Sequence, residues 1–147
     1  MIPEYIFDFI LKWEGGDKFT NHQLDKGGPT KFGISQKAFP KLDIKSLTKE
    51  DATAIYHRYY WLESSCQKIP AFMKLIHFNC AVNCGVFAAV KILQKTIGAK
   101  DDGKFGVKTL RAVFEYGDRP AMFAMDYTSH LLMRYLKIIT RRASQEV

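Results

Sequence analysis

The sequence is poor in cysteine, since its 147 residues include only Cys66, Cys80 and Cys84. An odd number of cysteines cannot pair completely, and so small a set excludes an extracellular scaffold held together by disulfides. A chain of this length buries roughly 68–70% of its unfolded surface and folds without such staples. With 47% hydrophobic and 25% charged residues, the composition indicates one soluble globular domain and excludes the disordered and fibrous classes.

The sequence also lacks a long hydrophobic run. No apolar stretch approaches the ~18 residues that a membrane-spanning helix needs. The first residues, Met1-Ile2-Pro3-Glu4-Tyr5, contain no basic segment, and Asp8 interrupts the apolar residues around it, which argues against a secretory signal peptide. We therefore expect synthesis in the cytoplasm and no membrane insertion, with any export by a route other than a signal peptide.

Acidic residues are in the minority. Lys and Arg outnumber Asp and Glu by 22 to 15, which gives a formal net charge of +7. Such a surface attracts polyanions, including nucleic acids, anionic lipids and cell-wall polymers. The lysines are spread from Lys12 to Lys137 without a block of five, and a helix-turn-helix over residues 86–114 would lack a dense basic stripe. Binding to nucleic acid is therefore not predicted.

Clusters of metal ligands are scarce too. His77, Cys80 and Cys84 follow one another at three- and four-residue steps and so share one helical face. This set lacks a fourth ligand and the spacing of a zinc finger. The turn Asp101-Asp102-Gly103 lacks the later ligands of a calcium loop. We predict no metal and no cofactor.

Hydrophobic periodicity predicts a chain that is mostly helical. The first helix, with apolar residues from Ile2 to Trp13, is predicted to end at Gly15-Gly16, because glycine readily adopts the left-handed conformation that closes a helix. Further helices are predicted after a capping box at Thr48 and over about 70–85, 86–98, 107–114 and 120–138.

One segment departs from the helical period. Within residues 17–35, the alternation of Thr30, Phe32 and Ile34 between glycines predicts a small, irregular β-hairpin. The fold class is therefore α+β, predominantly α-helical, with one small β-hairpin after the first helix.

The end of the first helix carries the strongest candidate for chemistry. Glu14 follows Trp13, and a carboxyl beside an indole at the mouth of a cleft is placed to have its pKa raised and to act as a general acid. Asp25 and Thr30 lie on the predicted hairpin, whose glycines let the backbone approach a ligand. A proton donor, a second carboxylate and a hydroxyl that holds a water are what glycoside hydrolysis requires. The alternative is a surface glutamate beside a helix end.

Several motifs occur together along the chain. They are Trp13-Glu14-Gly15-Gly16, Asp25-Lys26-Gly27-Gly28-Pro29-Thr30-Lys31-Phe32-Gly33-Ile34-Ser35, Ile55-Tyr56-His57-Arg58-Tyr59-Tyr60-Trp61, Phe78-Asn79-Cys80-Ala81-Val82-Asn83-Cys84-Gly85, Leu93-Gln94 and Asp102-Gly103-Lys104-Phe105-Gly106-Val107-Lys108-Thr109. Together they resemble glycoside hydrolase family 108, a family of lysozyme-like N-acetylmuramidases that are also described as secretion activator proteins and are common in phages and prophages. The resemblance runs from about Ile10 to Arg134.

The resemblance implies a lysozyme-like fold and a catalytic role for three matched residues. Glu14 would be the acid that protonates the glycosidic oxygen. Asp25, helped by Thr30, would orient the attacking water on the opposite face, which would make the enzyme inverting. A carboxyl separation of ~6.5–9.5 Å would favour inversion, whereas ~5–5.5 Å would favour a covalent intermediate.

Four further residues are candidates for binding the glycan. The resemblance places Asn83 on the helix that lines the cleft, where it would hydrogen-bond the sugar. Asn79, one turn earlier, stands where the family often has an aspartate. Tyr60 and Trp61 are aromatic residues that either stack on a sugar ring or pack in the core.

The implied protein is a single lysozyme-like domain over residues 1–147, with a catalytic part over about 1–69 and a helical, peptidoglycan-binding part over about 70–147. It would hydrolyse the β-1,4 bond between N-acetylmuramic acid and N-acetylglucosamine in the peptidoglycan glycan strand, as a phage endolysin or a secretion-associated enzyme. It would reach the cell wall through a holin or a dedicated secretion system. A lytic transglycosylase, which releases an anhydro-sugar without water, is the enzymatic alternative. A non-catalytic wall-binding or secretion accessory protein is the other.

Overall fold

The computed structural model describes residues 1–21 and 27–145, and the chain divides into two compact units, Met1–Tyr59 and Tyr60–Val147. The first unit contains helix α1 (Glu4–Trp13), strands β1 (Thr30–Lys31) and β2 (Ile34–Ser35), and helix α2 (Lys49–Tyr56). A π-helical segment, His57–Leu62, continues α2 into the second unit. The second unit contains a 3₁₀ turn (Cys66–Lys68) and helices α3 (Ala71–Cys84), α4 (Val86–Thr96), α5 (Val107–Tyr116) and α6 (Pro120–Ala143). This is the α+β, mainly helical fold with an early hairpin that the sequence predicts.

Helix α1 begins and ends where its sequence indicates. It starts after Pro3 and ends before Gly15 and Gly16, which both have positive φ angles. Its buried face contains Ile6, Phe7, Ile10 and Leu11. Trp13, predicted on the apolar face, is instead 69% exposed, because the buried stripe extends toward Phe7 and Leu11.

The hairpin is shorter than the sequence pattern predicts. The two strands pair antiparallel, with Thr30 opposite Ser35 and Lys31 opposite Ile34. Phe32, predicted as a strand residue, lies in the turn: Phe32 and Gly33 have φ angles of 53° and 72°. Two successive positive φ angles are the pattern of a type I′ turn, whose twist matches the strands it joins. The predicted alternation through Phe32 is therefore wrong, and the buried Phe32 side chain compensates for a backbone conformation that favours glycine.

Helix α2 begins at the predicted capping box. The Thr48 hydroxyl accepts a hydrogen bond from the backbone N–H of Asp51 at 3.1 Å, and the Asp51 carboxylate accepts one from the backbone N–H of Thr48 at 3.1 Å. Both otherwise unpaired N–H groups at this helix start are satisfied. The helix buries Ala52 and Tyr56.

The core of the second unit lies where α3 packs against α4 and α6. Its largest side chains include Met73, Leu93, Phe123 and Tyr127, all fully buried. Phe123 makes ring contacts with the side chains of Phe72, Tyr116 and Tyr127. Gly85, with a φ angle of 83°, lets α4 follow α3 without an intervening loop.

A buried glutamine holds the loop between α4 and α5. Gln94 Nε2 donates to Asp102 Oδ1 and Lys104 O, both at 3.0 Å, and to Thr109 Oγ1 at 3.1 Å. Its Oε1 accepts the backbone N–H of Gly103 at 2.8 Å. The Leu93-Gln94 and Asp102-Gly103 motifs are thus joined through hydrogen bonds that fix the loop.

His77 is another buried polar residue of this unit. Its Nε2 lies 2.9 Å from Ser64 O and must carry the proton, because a carbonyl only accepts. Nδ1 then accepts from the Tyr127 hydroxyl at 3.0 Å. Complete burial lowers the pKa of His77 to about 4, so the imidazole is neutral at physiological pH. Within residues 1–21 and 27–145, no cluster of three or more His, Cys, Asp or Glu is arranged to hold a metal.

This histidine predicts a specific loss of stability in acid. Because its folded pKa lies below the unfolded value, the unfolded chain binds the proton first, and the free energy of unfolding falls as pH drops from about 6.5 to about 4. The full contribution is about 3 kcal/mol. We expect thermal melts of His77→Gln to depend less on pH over this range than melts of the wild type.

The wild-type protein offers an independent check of the same point. A histidine NMR titration should show one imidazole that stays neutral until about pH 4. Identical pH slopes for the two proteins, together with four histidines titrating in the usual range, would contradict the assignment.

Candidate active site

The described part of the candidate site is built around Glu14, the residue that closes helix α1. Its backbone N–H donates to Ile10 O at 3.0 Å, and the N–H of Gly16 donates to Leu11 O at 2.9 Å. The bond from the Gly16 N–H to Leu11 O is that of a Schellman motif, which closes the C-terminus of a helix. This motif requires a residue with left-handed backbone directly after the C-cap residue Glu14. Gly15, with a φ angle of 89°, supplies that residue. The glycine pair therefore fixes the direction in which the chain leaves Glu14.

The turn of the hairpin is held against this helix end. The backbone N–H of Phe32 donates to Gly16 O at 3.0 Å, and the Tyr56 hydroxyl donates to Phe32 O at 3.0 Å. A Cβ placed on Gly33 would lie 3.2 Å from Glu14 Oε2, 2.9 Å from Glu14 Cβ and 2.7 Å from Tyr56 Oη. Helix α1, the hairpin turn and helix α2 thus meet at one carboxyl group.

This packing determines the acidity of Glu14. Partial burial raises the pKa of its carboxyl, because removal from water penalises the charged form. Burial is the cause, and within residues 1–21 and 27–145 no neighbouring charge contributes. A glutamic acid that keeps its proton at higher pH than usual is suited to protonate a leaving group.

Two other predicted catalytic residues lie nearby in sequence. The Thr30 hydroxyl donates to Gly28 O at 3.0 Å, while its backbone forms a pair of hydrogen bonds with Thr20. With its proton engaged, the Thr30 oxygen can still accept a hydrogen bond from a water. Asp25 lies outside the described residues, so the separation of the two carboxyl groups stays a prediction.

The predicted sugar-binding asparagines lie on α3 in the second unit. Asn83 is exposed, and its Nδ2 donates to Asn79 O at 3.0 Å and to Asn79 Oδ1 at 3.2 Å. The two amides are therefore coupled, and the Asn79 side chain fixes which way the Asn83 amide faces. A carboxylate at position 79 would accept the same bond and add a negative charge.

The two aromatic candidates have different environments. Trp61 is 1% exposed and its ring packs edge-on against Phe78, with 5.2 Å between centroids. No ring face is open to a sugar, so the stacking role predicted for Trp61 is corrected to a core role. Its Nε1 is buried and has no acceptor within the part of the chain that the structure describes. Tyr60 is partly exposed and stays a candidate for contact with the glycan.

Comparison with known families decides the assignment. The family model of glycosyl hydrolase 108 matches residues 7–85. The chain belongs to the glycosyl hydrolase 108 family. A second family model, described as a predicted peptidoglycan domain, matches residues 88–147. The family therefore supports a glycoside hydrolase whose partner is peptidoglycan.

This glycosyl hydrolase 108 protein also resembles a solved structure. The structure of Brucella abortus SagA is 28% identical, with a TM-score of 0.73, over 96% of this chain and 88% of that one. The lysozyme-like α+β fold is thereby confirmed. No curated protein matches the chain. Within residues 1–21 and 27–145, no helix has both the length and the apolar character to cross a membrane.

Sequence reasoning missed two residues that shape the site of this family member. Tyr56 is buried at the end of α2, and its hydroxyl anchors the hairpin turn through Phe32 O. Gly33 leaves the space that the Glu14 carboxyl occupies. The sequence signal for this tight turn was the pair Phe32-Gly33 between two short segments of strand-forming residues, because glycine favours the positive φ angles of such a turn.

Proposed function

We propose that this glycosyl hydrolase 108 protein is an N-acetylmuramidase that cleaves the β-1,4 bond between N-acetylmuramic acid and N-acetylglucosamine. The observation that carries the proposal is the partly buried Glu14 carboxyl, whose pKa is raised by loss of water, with no charged neighbour among the described residues as a further cause. Such a group is the proton donor that a glycosidase needs, and it occupies the part of the chain that the family model matches. We assign the peptidoglycan-binding role to the helical part that follows.

The proposed reaction begins with a proton transfer from Glu14 to the bridging oxygen of the glycosidic bond. The bond between that oxygen and the anomeric carbon of N-acetylmuramic acid breaks, the N-acetylglucosamine departs with the oxygen and the proton, and positive charge develops on the muramyl ring. A water, held by the Thr30 oxygen, adds its oxygen to the anomeric carbon and gives its proton to Asp25. This sequence inverts the anomeric configuration and leaves Glu14 ionised until solvent returns its proton.

The net positive charge of the chain supports action at the wall. A formal charge of +7 draws the protein to polyanionic wall polymers, and this attraction is screened by salt. The phage-endolysin or secretion-associated setting stays a prediction of the sequence.

The products of purified peptidoglycan digested in ¹⁸O-labelled water test the proposal. A muramidase should release muropeptides that end in reducing N-acetylmuramic acid and carry one label from water. Unlabelled anhydro-muropeptides would replace the hydrolase with a lytic transglycosylase. Protein that sediments with the wall and releases no fragment would replace it with a wall-binding accessory protein.

A further inference from the structure

A groove runs between helices α4 and α6 of the second unit. Its volume is about 790 Å³, and it is bordered by α4 from Val86 to Lys95 and by α6 from His130 to Arg141. Val86, Phe87, Ile92, Met133 and Ile138 give it an apolar lining. Both helices lie almost entirely within residues 88–147, the part matched by the peptidoglycan domain model.

The charges along this groove have one sign. Lys91 and Lys95 contribute from α4, and Arg134, Lys137 and Arg141 from α6. No acidic residue of the described chain lines the groove. Asp101 lies within 3.9 Å of Lys91 and 3.4 Å of Lys95 and partly offsets those two charges.

The α6 side of the groove is not neutralised in this way. Arg134, Lys137 and Arg141 recur at three- and four-residue steps, so they project from the same side of the helix. None of them forms an ion pair within residues 1–21 and 27–145. The cationic character of the groove is therefore concentrated on α6.

Arg134 has a hydrogen-bond donor that the described part of the chain leaves unused. Its Nε is buried and has no acceptor among the described residues. A buried donor on a charged group is costly to leave unpaired, and such groups usually have a partner. A carboxylate is a well-matched acceptor, since its oxygens form short, strong hydrogen bonds with guanidinium N–H groups.

We propose that this groove binds the carboxylate-bearing peptide stem of peptidoglycan. The choice of ligand rests on the proposed action on peptidoglycan. A wall peptide combines short aliphatic side chains with free carboxylates, and the groove combines an apolar lining with unpaired cations. In the wall, the lactyl carboxyl of a peptide-bearing N-acetylmuramic acid is bound in the amide that joins the peptide, so the sugar part itself offers neither a negative charge for Arg134 nor aliphatic side chains for Ile92 and Ile138.

Binding of two soluble probes tests the proposal without any need for cleavage. The probes are the disaccharide N-acetylglucosaminyl-N-acetylmuramic acid with its lactyl carboxyl amidated and the same disaccharide carrying a tetrapeptide. By calorimetry, the wild type should bind the peptide-bearing probe at least about tenfold more tightly, and this preference should weaken as salt rises. Equal affinity for the two probes would overturn the proposal.

Substitutions then locate the binding to the groove. Arg134→Leu should weaken binding of the peptide-bearing probe by about tenfold to a hundredfold, the range expected for a charged hydrogen bond. Arg142→Gln is the matched control, because Arg142 is an exposed cation on α6 outside the groove lining, and it should change affinity less than about twofold. If Arg134→Leu does not fold, Lys137→Gln with Arg141→Gln should give a comparable loss. An equal loss in the control would contradict the proposal.

Two further arms distinguish the ligand and the proposed function. Inorganic phosphate or phosphatidylglycerol vesicles that compete better than the tetrapeptide would assign the groove to phosphate and overturn the stem-peptide proposal. Cleavage of amidase-stripped glycan strands, which lack the peptide, measures the proposed muramidase activity separately from peptide binding. Peptide binding without any glycan cleavage would reject the muramidase proposal and leave the groove assignment standing. Glycan cleavage without a preference for the peptide-bearing probe would reject the groove assignment and leave the muramidase proposal standing.

Discussion

Glu14→Gln is expected to lower the rate of peptidoglycan cleavage by about 10²–10⁴-fold, the usual contribution of a positioned general acid. Glutamine fills the same space between the end of α1 and the hairpin turn, but it has no proton to give to the glycosidic oxygen. The measurement is release of reducing sugar from purified peptidoglycan under conditions in which both proteins are folded. Binding to intact wall should be retained, because the substitution removes only the proton donor.

The pH dependence sharpens this prediction. Wild-type activity should fall as pH rises through the pKa of Glu14, at a higher pH than an ordinary glutamate would give. Glu4→Gln is the matched control, since Glu4 is an exposed residue in the first turn of the same helix, and it should leave rate and pH profile unchanged. Comparable rates in the wild type and Glu14→Gln would remove the basis for the proposed chemistry.

Although Glu14→Gln should lower activity, we expect it to maintain or raise the stability of the fold at neutral pH. Since burial raises the folded pKa of Glu14, the folded state binds this proton more tightly than the unfolded state. Its stability contribution therefore falls as pH rises from the ordinary glutamate pKa through the raised value. Glu14→Gln avoids the buried charge and should melt at least as high as the wild type at pH 7, with the difference vanishing near pH 3.

Gly33→Ala is expected to damage both stability and activity. A Cβ at this position would stand 2.9 Å from Glu14 Cβ and 2.7 Å from Tyr56 Oη, and the φ angle of 72° is itself unfavourable for alanine. We expect a loss of about 1–3 kcal/mol in the free energy of unfolding from the strained backbone alone. Displacement of the carboxyl by a fraction of an ångström should reduce cleavage by about tenfold or more.

Gly98→Ala separates these two effects. Gly98 has the same φ angle of 72°, but a Cβ there meets nothing within 4 Å. Gly98→Ala should therefore lower the free energy of unfolding through its strained backbone and leave the rate of cleavage unchanged. Denaturant unfolding and the cleavage assay, run on both variants, test this difference. A Gly33→Ala protein that cleaves at the wild-type rate would show that the contact between the hairpin turn and Glu14 has no part in catalysis.

Local signals in the sequence were sufficient for much of the fold. The glycine pair predicts the end of α1 because only a left-handed residue closes a helix in that way, and Thr48 with Asp51 predicts the start of α2 through reciprocal hydrogen bonds. Both features depend on neighbours within four residues. Glu14 could therefore be placed at a helix end from the sequence alone.

Features set by distant contacts could not be predicted in this way. Phe32 adopts a left-handed backbone although it is not glycine, because burial of its ring and the bond from Tyr56 to its carbonyl hold it there. The sequence around Trp61 fits either a residue that binds sugar or a residue of the core. Only the packing of its ring against Phe78 in the folded chain shows that it belongs to the core. The unpaired Nε of Arg134 is likewise a property of the folded helix pair.

The origin of the Glu14 pKa has a practical consequence for the conditions under which the enzyme works. Within the part of the chain that the structure describes, this pKa is raised by exclusion of water and not by a charged neighbour, so that part of the site offers dissolved ions no Coulomb interaction to screen. The alkaline limb of activity should hold its position from dilute buffer to brine, even where attraction to the wall has faded. Proton donation and wall adhesion thus respond to different properties of the surrounding medium.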